Sequence, residues 1–440
     1  MEQVLLDEVS ELLRIPSVSA DAAHAQDVLQ AGEWVCERIR RAGGDAELVD
    51  WHGQPLAVGE IRASTGGDAP TVLAYGHFDV QPPAPLDLWE SGPFEPTVRD
   101  EWLVARGVVD DKGQLYMLLK AAELLAADNA LPVNVRFACD GEEETGGHSI
   151  VEFVEADDRG ADACVIFDAG MPERGVPAFY IGTRGLCYFH VRVRTGAQDL
   201  HSGLMGGAAL NAIHALMQTL SGVLPRDGRV PEPLRAGVAS ISDEERADWA
   251  SLTPGSDEIG QLGARPADAR AEDEFYLRTW AEPSVDVHGI AGGEPHLVKT
   301  VLPVAAEANV SIRLAPGQSA EGIAPVFEHL LREAAPEGAE VELGLLSTAD
   351  PGLVTPDSPA IELGLAAFER AVGARPLLLR SGGTLPIVPA LEQRQIPTIV
   401  TGFGLPGANV HAPNERLLLE YLPLGVDAAR ELFLAFKELR

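Results

Sequence analysis

Between residues 71 and 170 the chain alternates apolar, strand-length runs with a long helical pattern, and that alternation leaves few folds open. "TVLAYGHFDV" (71–80) reads as a buried strand running into a loop, and "QLYMLLKAAELLAA" (114–127) as a helix. "PVNVRFACDG" (132–141) and "ADACVIFDAG" (161–170) read as further buried strands. Buried strands separated by helices predict an α/β fold, a largely parallel mixed sheet flanked by helices. From about residue 188 the pattern changes. "YFHVRVRTG" alternates like a half-exposed antiparallel strand, a helix is expected in "GAALNAIHALMQTL", and residues 224–285 are rich in proline and acids. "NVSIRLAPGQ" (309–318) alternates again and is followed by a helical pattern to residue 335. After about 350 the first texture returns, with a helix at 358–372, a strand "PTIVTGFG" at 397–404 and a last helix near 421–438. The expected organisation is a first domain in two parts, 1–187 and 350–440, with a smaller α+β domain, 188–349, inserted between them.

At 440 residues, two domains match the ordinary domain size. A net charge of −34 argues against nucleic acid and anionic membranes as partners. Arginine supplies 29 of the 33 basic residues, which genome composition or salt adaptation explains as well as function does. The four cysteines, Cys36, Cys139, Cys164 and Cys187, lie far apart and read as buried free thiols of a reducing compartment. "MEQVLLDEVSELLR" carries acids where a signal peptide needs basic residues, and no apolar run approaches the ~20 residues of a membrane span. The expected location is the cytoplasm.

Metal-ligand residue types follow the apolar runs. His77 and Asp79 follow "TVLAY", Asp110 and Asp111 follow "WLVARGVV", Glu142 to Glu144 follow "VRFACDG", Asp168 follows "CVIF", and His411 follows "TIVTGFG". Each alone has an ordinary reading: an incidental HxD, a turn, a solvated acidic cap, a loop histidine. Together they matter, because the carboxyl ends of the strands of an open α/β sheet share one edge where ligands bind. Histidine nitrogen with carboxylate oxygen and no cysteine suits hydrolytic zinc, cobalt or manganese. If His77, Asp168, Glu144 and His411 are terminal ligands and Asp110 bridges, three carboxylates and one hydroxide balance two dications. Asp79 can accept the second imidazole N–H of His77. On extended backbone, Glu144 on a metal would leave Glu143 facing the attacking water as general base.

"YGHFDVQP", "ARGVVDDKGQ", "GEEETGG", "VIFDAG", "DLHSGLMGG" and "NVHAPNERL" resemble, in order, the signatures of the aminoacylase/carnosine-dipeptidase family of dinuclear metallopeptidases. The resemblance spans nearly the whole chain and is nearest to the cytosolic nonspecific (carnosine-type) dipeptidases, in which "HGIAGG", "KTVLP" and "SIRLAPGQ" also have counterparts. It implies a zinc-exopeptidase-like catalytic domain with an inserted lid/dimerisation domain, and two divalent metal ions, zinc or else manganese or cobalt. His77, Asp110 and Asp168 would hold one ion and Asp110, Glu144 and His411 the other. Asp79 would orient His77, Glu143 would be the general base, and the Asp110–Asp111 peptide would be cis. His201, reaching across a homodimer interface, would steady the oxyanion. Arg313 would clamp the C-terminal carboxylate of a small peptide substrate, assisted by Thr300, Thr384 and the backbone N–H groups of Gly382 and Gly383. His288 reads as structural. The implied activity is hydrolysis of dipeptides or short peptides through a metal-bridging hydroxide. N-acyl-amino-acid deacylation and release of acidic C-terminal residues share the same centre, and a catalytically dead peptide-binding protein is the reading from another class.

Overall fold

The computed structural model describes residues 2–64, 66, 68–261 and 263–439. The chain divides into two compact units. Unit 1 comprises Met1–Ile181, Val354–Leu379 and Pro386–Arg440, and unit 2 comprises Gly182–Leu353 and Arg380–Leu385.

Unit 1 is built on a six-stranded mixed sheet. Its strands are β1 (Asp45–Trp51), β2 (Gln54–Ile61), β3 (Thr71–His77), β4 (Asn134–Asp140), β5 (Ala163–Gly170) and β6 (Thr398–Gly404), in the order β1-β2-β4-β3-β5-β6. The pairings β4–β3, β3–β5 and β5–β6 are parallel, while the β1–β2 hairpin extends the edge antiparallel. β3 therefore lies inside the sheet, and six of its seven residues are buried, which is why it reads as a continuous apolar run. Helices Glu2–Leu13, Ala25–Arg41, Lys112–Ala127 and Tyr421–Ala435 pack together, and His148–Ala156 packs with Ile387–Gln393. Rings of Phe167, Phe368, Phe403 and Tyr421 meet where helices Pro359–Val372 and Tyr421–Ala435 cover β5 and β6. Near its end the β5–β6 pair leaves no room for a side chain at Gly402, where a Cβ would stand 2.1 Å from the Ala169 carbonyl oxygen.

Three of the four cysteines, Cys36, Cys139 and Cys164, are buried in unit 1, and Cys187 is buried in unit 2; all four are free thiols.

Unit 2 carries a four-stranded antiparallel sheet in the order Ser284–Gly292, Ala305–Leu314, Gly185–Arg194, Glu340–Ala349. Every second residue of Gly185–Arg194 is buried, so one face is apolar, and helices Ala212–Leu220 and Ala320–Ala334 cover it. Phe189 stacks on Phe327 in that core at 4.9 Å between ring centroids.

Several expectations shift. Residues 182–187 belong to unit 2 because its strand starts at Gly185. Arg380–Leu385 return to unit 2, where the buried Arg380 guanidinium donates to Glu245 at 2.6 Å. The helix expected over 207–220 begins at Ala212, because the Asn211 side chain caps it by accepting the N–H groups of Ile213 and His214.

Candidate metal centre

The sheet order places the candidate ligands. His77 ends β3, Asp168 lies near the end of β5, and Glu143 and Glu144 follow β4. Asp110 lies one residue before the Asp111 N-cap of the 112–127 helix, and His411 stands in the loop after β6 with φ 58°. Ligand atoms of His77, Asp110 and Asp168 lie within 4.8 Å of one another, and so do those of Asp110, Glu144 and His411. Asp110 is common to both groups. One of its oxygens is 2.9 Å from His77 Nε2 and the other 2.8 Å from His411 Nε2. His411 Nε2 is also 3.2 Å from Glu144 Oε2, and His77 Nε2 is 3.9 Å from Asp168 Oδ1. The Asp110–Asp111 peptide is cis.

Charge is concentrated here, with His77 fully buried, Asp110 and Asp168 half-buried and His411 exposed. Burial pushes the Asp168 carboxyl far above its ordinary range, and the neighbouring carboxylates add to the shift. Burial would also raise Asp110, but hydrogen bonds from His411 and His77 overcome it and hold that carboxyl low. The bonds to Asp110 and Glu144 push His411 up to about 10. Two carboxyl groups and two imidazoles around one shared aspartate, with no sulfur donor in either group among the described residues, are a donor set that fits two divalent cations.

Asp79 is fully buried beneath the cluster. His77 Nδ1 lies 3.1 Å from its backbone carbonyl oxygen and 3.3 Å from its Oδ1. The same carboxylate accepts the backbone N–H of Glu143 at 3.2 Å and of Glu144 at 3.2 Å. It thus ties the histidine ligand to the glutamate turn. That turn corrects one expectation. Glu143–Thr145 is a single 3₁₀ turn, not extended backbone, because the Asp79 carboxylate draws both amides to one side. The two glutamates are separated by their partners instead. Glu144 accepts from the Gln81 backbone N–H at 3.1 Å and from Gln81 Nε2 at 2.7 Å. Among the described residues the Glu143 carboxylate receives no hydrogen bond, and burial pushes it up to about 7. Glu142 is a buried anchor for the following helix, accepting the Ser149 N–H at 2.7 Å.

The profile of Peptidase family M20/M25/M40 matches residues 73–435. The chain belongs to that family. It is 29% identical over 425 residues to the cysteinylglycine-S-conjugate dipeptidase of Corynebacterium striatum, covering 93% of this chain and 90% of the relative. It is 28% identical to the Beta-Ala-His dipeptidase of Rattus norvegicus, covering 89% and 84% respectively. Among solved structures, the M20 family metallo-carboxypeptidase Sso-CP2 from Sulfolobus solfataricus superposes with a TM-score of 0.85 at 24% identity, covering 98% of this chain and 99% of that one. The mixed sheet flanked by helices is thus an M20 peptidase fold.

The remaining candidate residues of this M20 chain lie in unit 2, in two groups. Arg313 Nη1 donates to Thr384 Oγ1 at 3.0 Å, and that hydroxyl donates to the Arg184 carbonyl at 2.7 Å. Among the described residues no carboxylate is within ion-pair distance of Arg313. Gly382 and Gly383 adjoin this group, but the Gly383 N–H is donated to Ser381 Oγ at 3.0 Å, so it is not offered to a ligand as expected. In the second group, His201 is exposed on a two-residue strand paired with Val301–Leu302, and its Nδ1 accepts the Gly203 N–H at 3.1 Å. Thr300 adjoins it, its carbonyl accepting from the Ser202 N–H at 3.0 Å and the Ser202 hydroxyl at 2.8 Å. His288 stacks on Tyr188 and its Nε2 lies 2.8 Å from Ser311 Oγ.

Sequence reasoning missed two side chains of unit 1. Gln81 holds Glu144. Gln114, buried, donates to the Val109 carbonyl at 2.8 Å and the Ala169 carbonyl at 3.1 Å, and accepts the Phe403 N–H at 2.6 Å. It thereby joins the segments that carry Asp110, Asp168 and β6. Both stand inside the quoted motifs "YGHFDVQP" and "ARGVVDDKGQ", which was the available signal.

Proposed function

We propose that this chain hydrolyses the peptide bond of dipeptides and short peptides with a free C-terminal carboxylate. The observation that carries the reading is the sharing of Asp110 between two ligand triads. His77, Asp110 and Asp168 hold one divalent ion and Asp110, Glu144 and His411 the other, zinc being the natural choice for this donor set and manganese or cobalt its substitutes. Bound dications supply Lewis acidity toward the scissile carbonyl and make water acidic near neutral pH. Glu143, half-buried and, among the described residues, without a hydrogen-bond donor on its carboxylate, takes the proton of the attacking water and passes it to the leaving amine. Arg313, oriented by Thr384 and lacking an acidic partner among the described residues, receives the substrate carboxylate. Thr300 adds a hydrogen bond from the His201 side. With His201 Nδ1 accepting a backbone N–H, the neutral imidazole carries its proton on Nε2, the form that donates to an oxyanion.

Unit 2 acts as a lid and dimerisation domain, and His201 serves the partner subunit of a homodimer. Exposed Leu204, Met205, Met217, Ile290 and Val298 in that unit supply apolar surface for such an interface. Four free thiols favour a reducing, cytoplasmic setting. Among the described residues no helix is long and apolar enough to cross a membrane.

The test combines metal analysis, a panel of dipeptides and N-acyl amino acids, and Glu143→Ala. The expected result is two ions per chain, turnover of the dipeptides, and a loss of about 10²–10⁴ in kcat for the variant with both ions retained. Near-full activity of Glu143→Ala removes the base, and turnover confined to N-acyl amino acids replaces peptide with acyl substrates.

A further inference from the structure

Four residues beyond His411 lies Glu415, whose side chain is fully buried and bonded at every position. Oε2 accepts from Arg106 Nη1 at 2.8 Å and from the Gly107 N–H at 2.9 Å. Oε1 accepts from the Val109 N–H at 2.9 Å and from the Asp110 N–H at 3.1 Å. Its backbone carbonyl takes the Ala105 N–H at 3.1 Å. Five of the six residues 105–110, all but Val108, are thus bonded to one residue. Arg106 is itself 1% exposed, lies over the Trp89 ring at 5.5 Å and reaches the Ala412 carbonyl at 3.4 Å. Gly107 turns the chain there with φ 81°, and a Cβ on it would stand 2.6 Å from Val80 Cγ1.

We infer that Glu415 is a positioning residue of the metal centre: it fixes the backbone of Asp110 relative to the loop bearing His411, so that the shared aspartate and the outer histidine move as one piece. The inference rests on the proposed reading of Asp110 as the bridge. A bridging carboxylate must satisfy two ions at once, so a displacement of its backbone by a few tenths of an ångström loosens both. Four charge-assisted bonds to one buried carboxylate, neutralised by one buried guanidinium, stiffen the turn that ends in Asp110. A carboxylate serves because all four partners are donors. Glutamine would turn an amide N–H toward two of them and leave Arg106 without its counter-charge.

The experiment measures Co²⁺ stoichiometry, affinity by chelator competition and the visible ligand-field spectrum, together with the melting temperature of the ion-free protein. The chains compared are the wild type, Glu415→Gln, Glu415→Asp and His411→Ala. Glu415→Asp keeps the charge and withdraws the carboxylate by about 1.5 Å, one C–C bond. The expected result is a loss of about 10–100-fold in affinity for both ions in each Glu415 variant, with an altered spectrum. His411→Ala should instead weaken one ion and spare the other. Glu415 variants that melt lower yet bind two Co²⁺ with wild-type affinity and spectrum assign the residue to folding alone and overturn the inference, as does failure of both variants to fold. A wild type that holds fewer than two ions overturns the parent reading of Asp110 and carries this inference with it.

Discussion

Asp79 shows how one side chain can serve two parts of a site. Its carboxylate accepts two backbone amides from a fully buried position, and both its backbone carbonyl, at 3.1 Å, and its Oδ1, at 3.3 Å, face the His77 Nδ1. Asp79→Asn keeps one acceptor oxygen and turns an NH₂ toward one of the two amides. The Glu143–Glu144 turn then loses half of its anchor. The expected outcome is a fall of about 10–100-fold in metal affinity, read by calorimetry on folded protein; wild-type affinity would show that the turn holds itself. The residues legible in the sequence were those whose type is set by chemistry: two histidines and several acids placed after apolar runs. Gln81, Gln114 and Glu142 were not legible in the same way. Gln114 and Glu142 bond to backbone groups, and Gln81 bonds to the Glu144 carboxylate far along the chain, so only the tertiary fold distinguishes each from an ordinary polar loop residue.

At the scale of elements, the segment after the first helix, Glu2–Leu13, acts as a strap on the metal-bearing loops. The carbonyls of Leu12 and Ile15 accept from buried Lys112 Nζ at 3.3 and 2.6 Å. Ser17 Oγ donates to the Phe78 carbonyl at 2.6 Å, and the Val80 N–H donates to the Ser17 carbonyl at 2.9 Å. Residues 12–18 are thereby fastened to the loop that follows His77 and to the turn that follows Asp110. Ser17→Ala leaves the Phe78 carbonyl short of a buried partner and should lower stability by about 1–3 kcal/mol in denaturant unfolding. A midpoint unchanged from wild type would show that the strap holds without that hydroxyl. Fully buried strands were readable as apolar runs, β3 above all. The β1–β2 hairpin and the strand Glu340–Ala349 escaped notice because they are half-exposed and carry mixed residues, so their pairing depends on neighbours distant in sequence.

For the molecule as a whole, the crowded acids make stability depend on pH and on metal. Burial raises Glu143 to about 7 from 4.5, and raises Asp140 to about 8 from 3.8. A group whose folded value lies above its unfolded value favours the fold while it is protonated and loses that contribution as pH rises through the folded value. His411, raised to about 10 from 6.5, acts in the same direction. The ion-free protein should therefore melt progressively lower from about pH 5 to pH 9, and saturating divalent metal should flatten or reverse the trend, since cations reward the deprotonated ligands. Calorimetric scans with and without chelator measure both curves; a chelated protein that melts higher at pH 9 than at pH 5 would contradict the sign.

The placement of the thiols gives the chain its own clock for opening. Cys36, Cys139 and Cys164 are sealed in the first unit and Cys187 alone in the second. An alkylating reagent reaches a buried sulfur only when its surroundings part, so the mass of each labelled peptide dates the breathing of one unit without any engineered probe. Labelling of Cys187 ahead of the other three would mean that the smaller unit loosens while the metal-bearing one stays shut.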